Sequence, residues 1–234
     1  MDLGSAIHRA VFEPARFAAT YVVASVSDGR TKEYKADLAA ARSAGKILLK
    51  DQDYCDCVHI ATAVRDNELA ANLLSSEGTA ETSFTWEESF EDALGDTAAV
   101  SFKARMDFIG GLGVVDLKSC EDAREDAFVR SLWDHRYDIQ AAHYLNTIRK
   151  WQAFSGIEAP PCDFWWIAVE RKAPYGILVY KASEETLRWG NLGVEEATFQ
   201  YRRCVNRGYW PGYMQKQAFE VNPPAWWVKR NQIS

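Results

Sequence analysis

Asp116 and Lys118 stand two residues apart in "GVVDLKS" (113–119), and a second acid, Asp107, ends "FKARMD" on the other side of "GGLG" (110–113). Residues two apart in a strand project from one face. If Gly110 to Gly113 turn the chain, Ile109 pairs with Val114, and counting back sets Asp107 opposite Asp116. Directly opposed side chains have Cβ atoms about 4.5–5.5 Å apart, where two carboxylates repel. A hard divalent cation offsets that repulsion, and Mg²⁺ is typically held by one or two carboxylates plus substrate phosphate. Lys118, one step deeper on the same face, can orient an attacking water and stabilise charge on a phosphorane-like transition state. The plain alternatives are a solvent-facing hairpin end for the acids and a structural salt bridge for Asp116 and Lys118. Phe102, Met106, Phe108, Val114, Val115 and Leu117 instead suggest a covered hairpin.

Three further features converge on this pair. "YDIQAAHYL" puts Tyr137, Gln140 and Tyr144 on one helical face; the polar Gln140 and Tyr144 lie on a side that otherwise packs inward. The alternative for Tyr144 is a core tyrosine with a satisfied hydroxyl. Glu81 lies on the strand before the hairpin. His8 sits in "GSAIH", whose small residues let a helix approach another backbone, although a lone helix histidine is also a common packing residue.

The elements that must position these residues follow from periodicity. "GSAIHRAVF" reads as a helix ending before Pro14, "RTKEYKADLAAARSA" as a helix stopping at Gly45, and "DYCDCVHIATAVRDNELAANLL" as helical with a break near Asn67. "TAETSFTWEE" alternates, with Thr82, Phe84 and Trp86 on one face and Glu81, Ser83 and Thr85 on the other. "AAVSFKARMDFI" and "GVVDLKS" form the hairpin. Two amphipathic helices follow, "AREDAFVRSLWDHR" and "YDIQAAHYLNTIRKWQAF", then strands "DFWWIAVER" and "YGILVYKA". A last helix starts after Ser183, and the Trp-, Tyr- and Pro-rich end reads as irregular. The order predicts one mixed α/β domain over residues 1–234 around a central sheet.

The composition is that of an ordinary soluble globular protein, 47% hydrophobic and 26% charged. No apolar run approaches the roughly 20 residues of a membrane helix, and the first residues lack a signal-peptide pattern, so a cytoplasmic location and no membrane partner are expected. Five cysteines, an odd number without a CxxC pair or four-ligand cluster, argue for reduced thiols and against structural zinc or an iron–sulfur site. The net charge of −6 speaks against a simple electrostatic nucleic-acid binder. Residues 200–234, however, hold six basic side chains and one acid, a balance of +5, which leaves −11 on residues 1–199. A solvated acidic segment at 77–96 and a solvated basic tail are the simplest reading of that unevenness.

Taken in order, "GSAIHRAVFEP", "AETSFTW", "FKARMDFI" with "VVDLKS", "YDIQAAHYL", "AVERKAPYGILVY" and "GYWPGY" resemble the nucleases of the PD-(D/E)xK superfamily. The closest likeness is to the exodeoxyribonuclease VIII (RecE-type) branch, related to lambda exonuclease and the RecB nuclease domain. The resemblance spans nearly the whole chain. It implies a restriction-endonuclease-like core, a central mixed β-sheet flanked by helices, and Mg²⁺-dependent phosphodiester hydrolysis, with Mn²⁺ as a substitute. Carried over, His8, Asp107, Asp116 and the Leu117 carbonyl would ligate metal, and Lys118 would activate or position water. Gln140 and Tyr144 would support the lysine and the DNA phosphate, and Glu81 would reach the metal region or the DNA end. The branch degrades linear double-stranded DNA from 5′ ends and leaves 3′ single strands for a single-strand annealing recombinase. Several members are ring-shaped homo-oligomers, in which only the channel need be basic. Met106 stands where the superfamily often has proline, and the chain begins almost at the "GSAIH" helix, where the family has a further segment. The competing readings are an endonuclease or single-strand nuclease with the same site, and a catalytically silent DNA-end or recombinase-binding module.

Overall fold

A computed structural model describes residues 3–75, 77–91, 97–156, 162–212, 218 and 220–231. The first half is mostly helical: α1 (Leu3–Phe12), α2 (Pro14–Thr20), α3 (Lys32–Ser43), α4 (Asp51–Asp66) and α5 (Glu68–Ser75). Pro14 ends α1 as expected and opens α2, where the missing N–H costs nothing. Thr31 caps α3 by accepting from the Tyr34 N–H. Gly45 follows that helix with φ +67°, and the break between α4 and α5 falls at Asn67. Two short strands were not expected from the sequence. β1 (Tyr21–Val23) and β2 (Ile47–Leu49) pair in parallel, and three residues are too few for a period-2 signal.

Five strands form the central sheet in the order β3 (Gly78–Glu91), β4 (Thr97–Gly110), β5 (Gly113–Cys120), β6 (Phe164–Glu170) and β7 (Ile177–Lys181). The β3–β4, β4–β5 and β6–β7 pairs are antiparallel, whereas β5–β6 is parallel. The parallel pair requires a crossover, supplied by α6 (Glu125–Asp134) and α7 (Tyr137–Ser155). After β7 come α8 (Glu184–Arg207), capped by Ser183, and α9 (Ala225–Asn231). The helix α9 corrects the expectation of an irregular end: "AWWVKRN" follows two prolines, which suit a helix start. In the "GYWPGY" motif, Tyr213 lies outside the described residues.

The sheet is covered on both faces. Ile7, Ile60, Val115, Leu117 and Ile167 pack with α1, α4 and α5 on one side. Met106, Val114, Phe128, Leu145 and Trp166 pack with α6 and α7 on the other. This is the mixed α/β architecture of a restriction-endonuclease-like core, a central sheet flanked by helices. Among the described residues no helix is long and apolar enough to cross a membrane.

The helix α8 lies against α7 because it carries Gly190 and Gly193 at the contact. A β-carbon at Gly190 would run into the Asp138 carbonyl in the first turn of α7. Gly190→Ala is therefore expected to lower stability by about 1–3 kcal/mol through overpacking. Thermal unfolding should show the drop at roughly 2–4 °C per kcal/mol, and an unchanged midpoint would mean that α8 is not seated this way.

Candidate functional site

The site forms where β4 peels away from β5. The two strands pair at Gly110–Gly113, Ile109–Val114 and Phe108–Val115, the register counted from the glycines, and the ladder ends there. Asp107 does not continue it as a strand pair. Its Oδ2 instead accepts the Leu117 N–H at 2.8 Å, so a side chain replaces a rung of the sheet and the strands open. The Leu117 backbone thus contacts Asp107 through its N–H.

The β3–β4 pair bends at the same level. Ala80 and Phe108 are partners and pack on the α1 side. Thr82 pairs with Met106, and Met106, Ala104 and Phe84 pack on the α7 side. In a regular strand residues two apart share a face; here the faces exchange between 80/108 and 82/106. Glu81 sits at the exchange with φ +54°, a left-handed conformation that side-chain-bearing residues adopt at a cost of order 1–3 kcal/mol. The sequence expectation of Glu81 on one face with Ser83 and Thr85 is corrected by this bend, because the alternation does not run through it.

The bend gathers ligating groups from three elements. One ligand atom each of His8, Glu81 and Asp107 lies within 4.8 Å of the others. His8 Nδ1 is 3.2 Å from Asp107 Oδ2, and Glu81 pairs with Arg105. Small residues bring α1 close here: Gly4 and Ser5 line a cavity of about 360 Å³ with His8, Arg9, Glu81, Arg105 and Asp107.

Behind this group lies a second, buried one. Asp116 is 2% exposed. Its Oδ1 accepts from Gln140 Nε2 at 2.8 Å, and its Oδ2 is 2.7 Å from Lys118 Nζ. Lys118 donates to Gln140 Oε1 at 2.8 Å, and Gln140 Nε2 also reaches the Tyr144 hydroxyl at 3.3 Å. Asp116, Lys118 and Gln140 thus close a ring of contacts, with Tyr144 attached to it. The Tyr137 ring, three residues before Gln140 on α7, lies 4.3 Å beneath the Lys118 ammonium, a cation–π contact. Its helical spacing was visible in the sequence, but the contact with Lys118 was not; neither was the Glu81–Arg105 pair, which depends on the bend.

Electrostatics follow from burial. Desolvation pushes the Asp116 carboxyl up to about 6; Asp107 adds to the rise, and Lys118 and His8 oppose it. Burial disfavours charged His8, but its hydrogen bond to Asp107 and the charges of Asp107 and Asp116 outweigh that and raise it. Burial likewise opposes charge on Lys118, and the adjacent Asp116 outweighs it, so the ammonium form is held.

These residues fit a divalent cation. Asp116 Oδ2 is a buried carboxylate oxygen whose one close partner is the Lys118 ammonium at 2.7 Å, and it lies beside the His8–Glu81–Asp107 group. The neighbouring group offers carboxylate oxygens and one imidazole nitrogen, a mostly hard donor set suited to Mg²⁺ or Mn²⁺.

Comparison with known proteins places this architecture. The family described as "PDDEXK-like domain of unknown function (DUF3799)" matches residues 1–220. The chain belongs to this family. No curated protein matches it. Among solved structures, one from Eubacterium rectale described as a "Putative exonuclease" is similar over 99% of this chain and 79% of that one, with a TM-score of 0.54 and 16% identity. At that identity the likeness concerns the fold.

The protonation states above set a sign for metal affinity. Asp116 must lose its proton, and His8 must be neutral, before either donates a lone pair; both pKa values are raised, so protons compete. Mn²⁺ affinity should therefore rise between about pH 5.5 and pH 8, by tenfold or more, with proton release in calorimetric titration. An affinity independent of pH would remove these groups from the ligand set.

Proposed function

We propose that the chain is a Mg²⁺-dependent exodeoxyribonuclease, able to use Mn²⁺, that hydrolyses linear double-stranded DNA from 5′ ends. The observation that carries the hydrolytic reading is the buried Asp116–Lys118–Gln140 ring set directly behind the His8–Glu81–Asp107 group. Family membership supports it. The 5′→3′ direction, the 3′ single strands left for an annealing recombinase, and a ring of subunits follow the resemblance to the RecE-type branch.

In this reading His8, Glu81 and Asp107 would hold the cation with Asp116, and the Leu117 backbone would border it. The cation would supply neutralisation of the phosphate charge and Lewis-acid activation of the attacking water. The chain's own groups do the rest. Lys118, kept protonated by Asp116, acts as a hydrogen-bond donor and positive charge, not as a base. It holds the attacking water and stabilises negative charge on the phosphorus oxygens as they form. Gln140 fixes both Lys118 and Asp116, so neither must reorganise during the reaction. Arg9 and Arg105, which line the cavity and pair with Glu13 and Glu81, would engage the incoming phosphates.

Digestion of end-labelled linear, nicked and closed circular duplexes with Mg²⁺ or EDTA tests this reading. Linear duplex should disappear from its 5′ ends with Mg²⁺, closed circles should survive, and EDTA should stop the reaction. Lys118→Ala should cut kcat by about 10²–10³-fold and Asp116→Ala should abolish turnover, both with duplex binding retained. Linear duplex surviving in Mg²⁺ and in Mn²⁺ would contradict the proposal.

A further inference from the structure

A groove runs from the site along α7. Gln140 and Tyr144 form one wall of a cavity between α7, α8 and β4. That cavity shares Phe102, His143, Val194 and Thr198 with the next, which in turn shares Trp86, Glu88 and Lys150 with a third, ending at Trp151 and Phe154. On α7 the positions 140, 144, 147, 151 and 154 make one helical stripe, and 140 to 154 spans about 21 Å at 1.5 Å per residue. That matches the shortest sites, about four nucleotides, of aromatic single-strand platforms.

The lining is unusual for a protein surface. Trp86, Phe102 and His143 form one aromatic cluster, with ring centroids 5.2, 5.6 and 6.3 Å apart. Above it, large rings stand open: Phe154 is 92% exposed, Phe199 55%, Tyr201 45% and Trp151 44%. Exposed aromatic patches of this kind mark binding surfaces. Basic groups lie among the rings. Lys150 lines the same cavity as Trp86 and Trp151 and is held by Glu88 at 2.7 Å. Arg202 lies over the Phe90 ring at 4.2 Å, and its Nε is buried with no hydrogen-bond partner among the described residues. Arg136 stands at the end beside Gln140 and is paired with the buried Asp138. The acids lining the groove are Glu88, already paired, and Glu195. In a chain of net charge −6 the three cations and two acids of the lining leave a balance of +1 along an aromatic strip.

We propose that the groove takes a single strand of nucleic acid. Its bases stack on Trp151, Phe154, Phe199 and Tyr201, and its phosphates engage Lys150 and Arg202. Stacking tolerates any base, because every base has a π-face. The groove's continuity with Gln140 and Tyr144 makes the strand either the one entering the site or the one separated there. The inference rests on the nuclease reading for that connection, and on the groove's own lining for binding.

The test is fluorescence anisotropy with labelled oligo(dT) of about 16 nucleotides in EDTA, where no hydrolysis can intervene. Wild type should bind oligo(dT) at least about fivefold more tightly than an abasic oligomer of equal length. The double variant Trp151→Ala/Phe154→Ala should weaken oligo(dT) binding at least about fivefold, and Phe199→Ser, on the opposite wall, should weaken it independently. Lys150→Gln should flatten the dependence of log K on log salt by about 0.7. Each variant is checked by circular dichroism, and all four altered positions are exposed. Equal binding of oligo(dT) and abasic oligomer would overturn the proposal. So would wild-type affinity in the double variant, including the case where that variant splits an oligomer and the groove proves to be a subunit contact. Duplex digestion by the wild type, run in parallel with Mg²⁺, keeps the two readings apart: digestion with unaltered single-strand binding sinks the groove alone, and lost single-strand binding without wild-type digestion sinks the nuclease reading alone.

Discussion

The rest of the structure depends on one buried carboxylate. Asp116 is removed from water on a central strand, which costs several kcal/mol unless other groups compensate. Lys118 and Gln140 compensate it, and each needs a fixed backbone. Lys118 is fixed by β5, paired along its length to β6. Gln140 is fixed by the start of α7, where Arg136 pairs with the fully buried Asp138 and α8 presses Gly190 against the same turn. Removing any one support would leave a charge in the interior without its partner. The ring of contacts therefore ties the sheet, α7 and α8 into one body.

A second constraint acts on the other side of Asp116. Two antiparallel strands would normally continue their ladder past Phe108 and Val115. Here the Asp107 carboxylate takes the Leu117 N–H, and the left-handed Glu81 exchanges the faces of β3 and β4. Both irregularities weaken the sheet locally. Both also turn acids toward His8 on α1. A strained residue and a broken ladder thus fall at the same level, beside the buried carboxylate that Lys118 and Gln140 hold.

Much of this was legible in the sequence because it is periodic. The glycines of the "GGLG" turn set the hairpin register, and the 3.6-residue spacing of Tyr137, Gln140 and Tyr144 put them on one face of α7. The resemblance named the fold, and the family match agrees with it. What periodicity could not carry was the departure from it. Counting in twos placed Asp107 squarely opposite Asp116, whereas the strands part there and the carboxylate reaches on to Leu117. Counting in twos also kept Glu81 with Ser83 and Thr85, because nothing in "TAETSF" announces a positive φ. The aromatic groove was invisible for another reason. Its rings come from β3, β4, α7 and α8, and only the tertiary fold gathers Trp86, Phe102 and His143 into one cluster.

The central claim is that Asp107 and Asp116, with their neighbours, enclose a divalent cation beside Lys118. Crystals grown with Mn²⁺ test it directly through anomalous scattering. The account predicts a single strong peak, or a close pair, in contact with the carboxylates of Asp107 and Asp116. A structure with Mn²⁺ bound elsewhere, or with no ion in contact with Asp107 and Asp116 at saturating Mn²⁺, would contradict it.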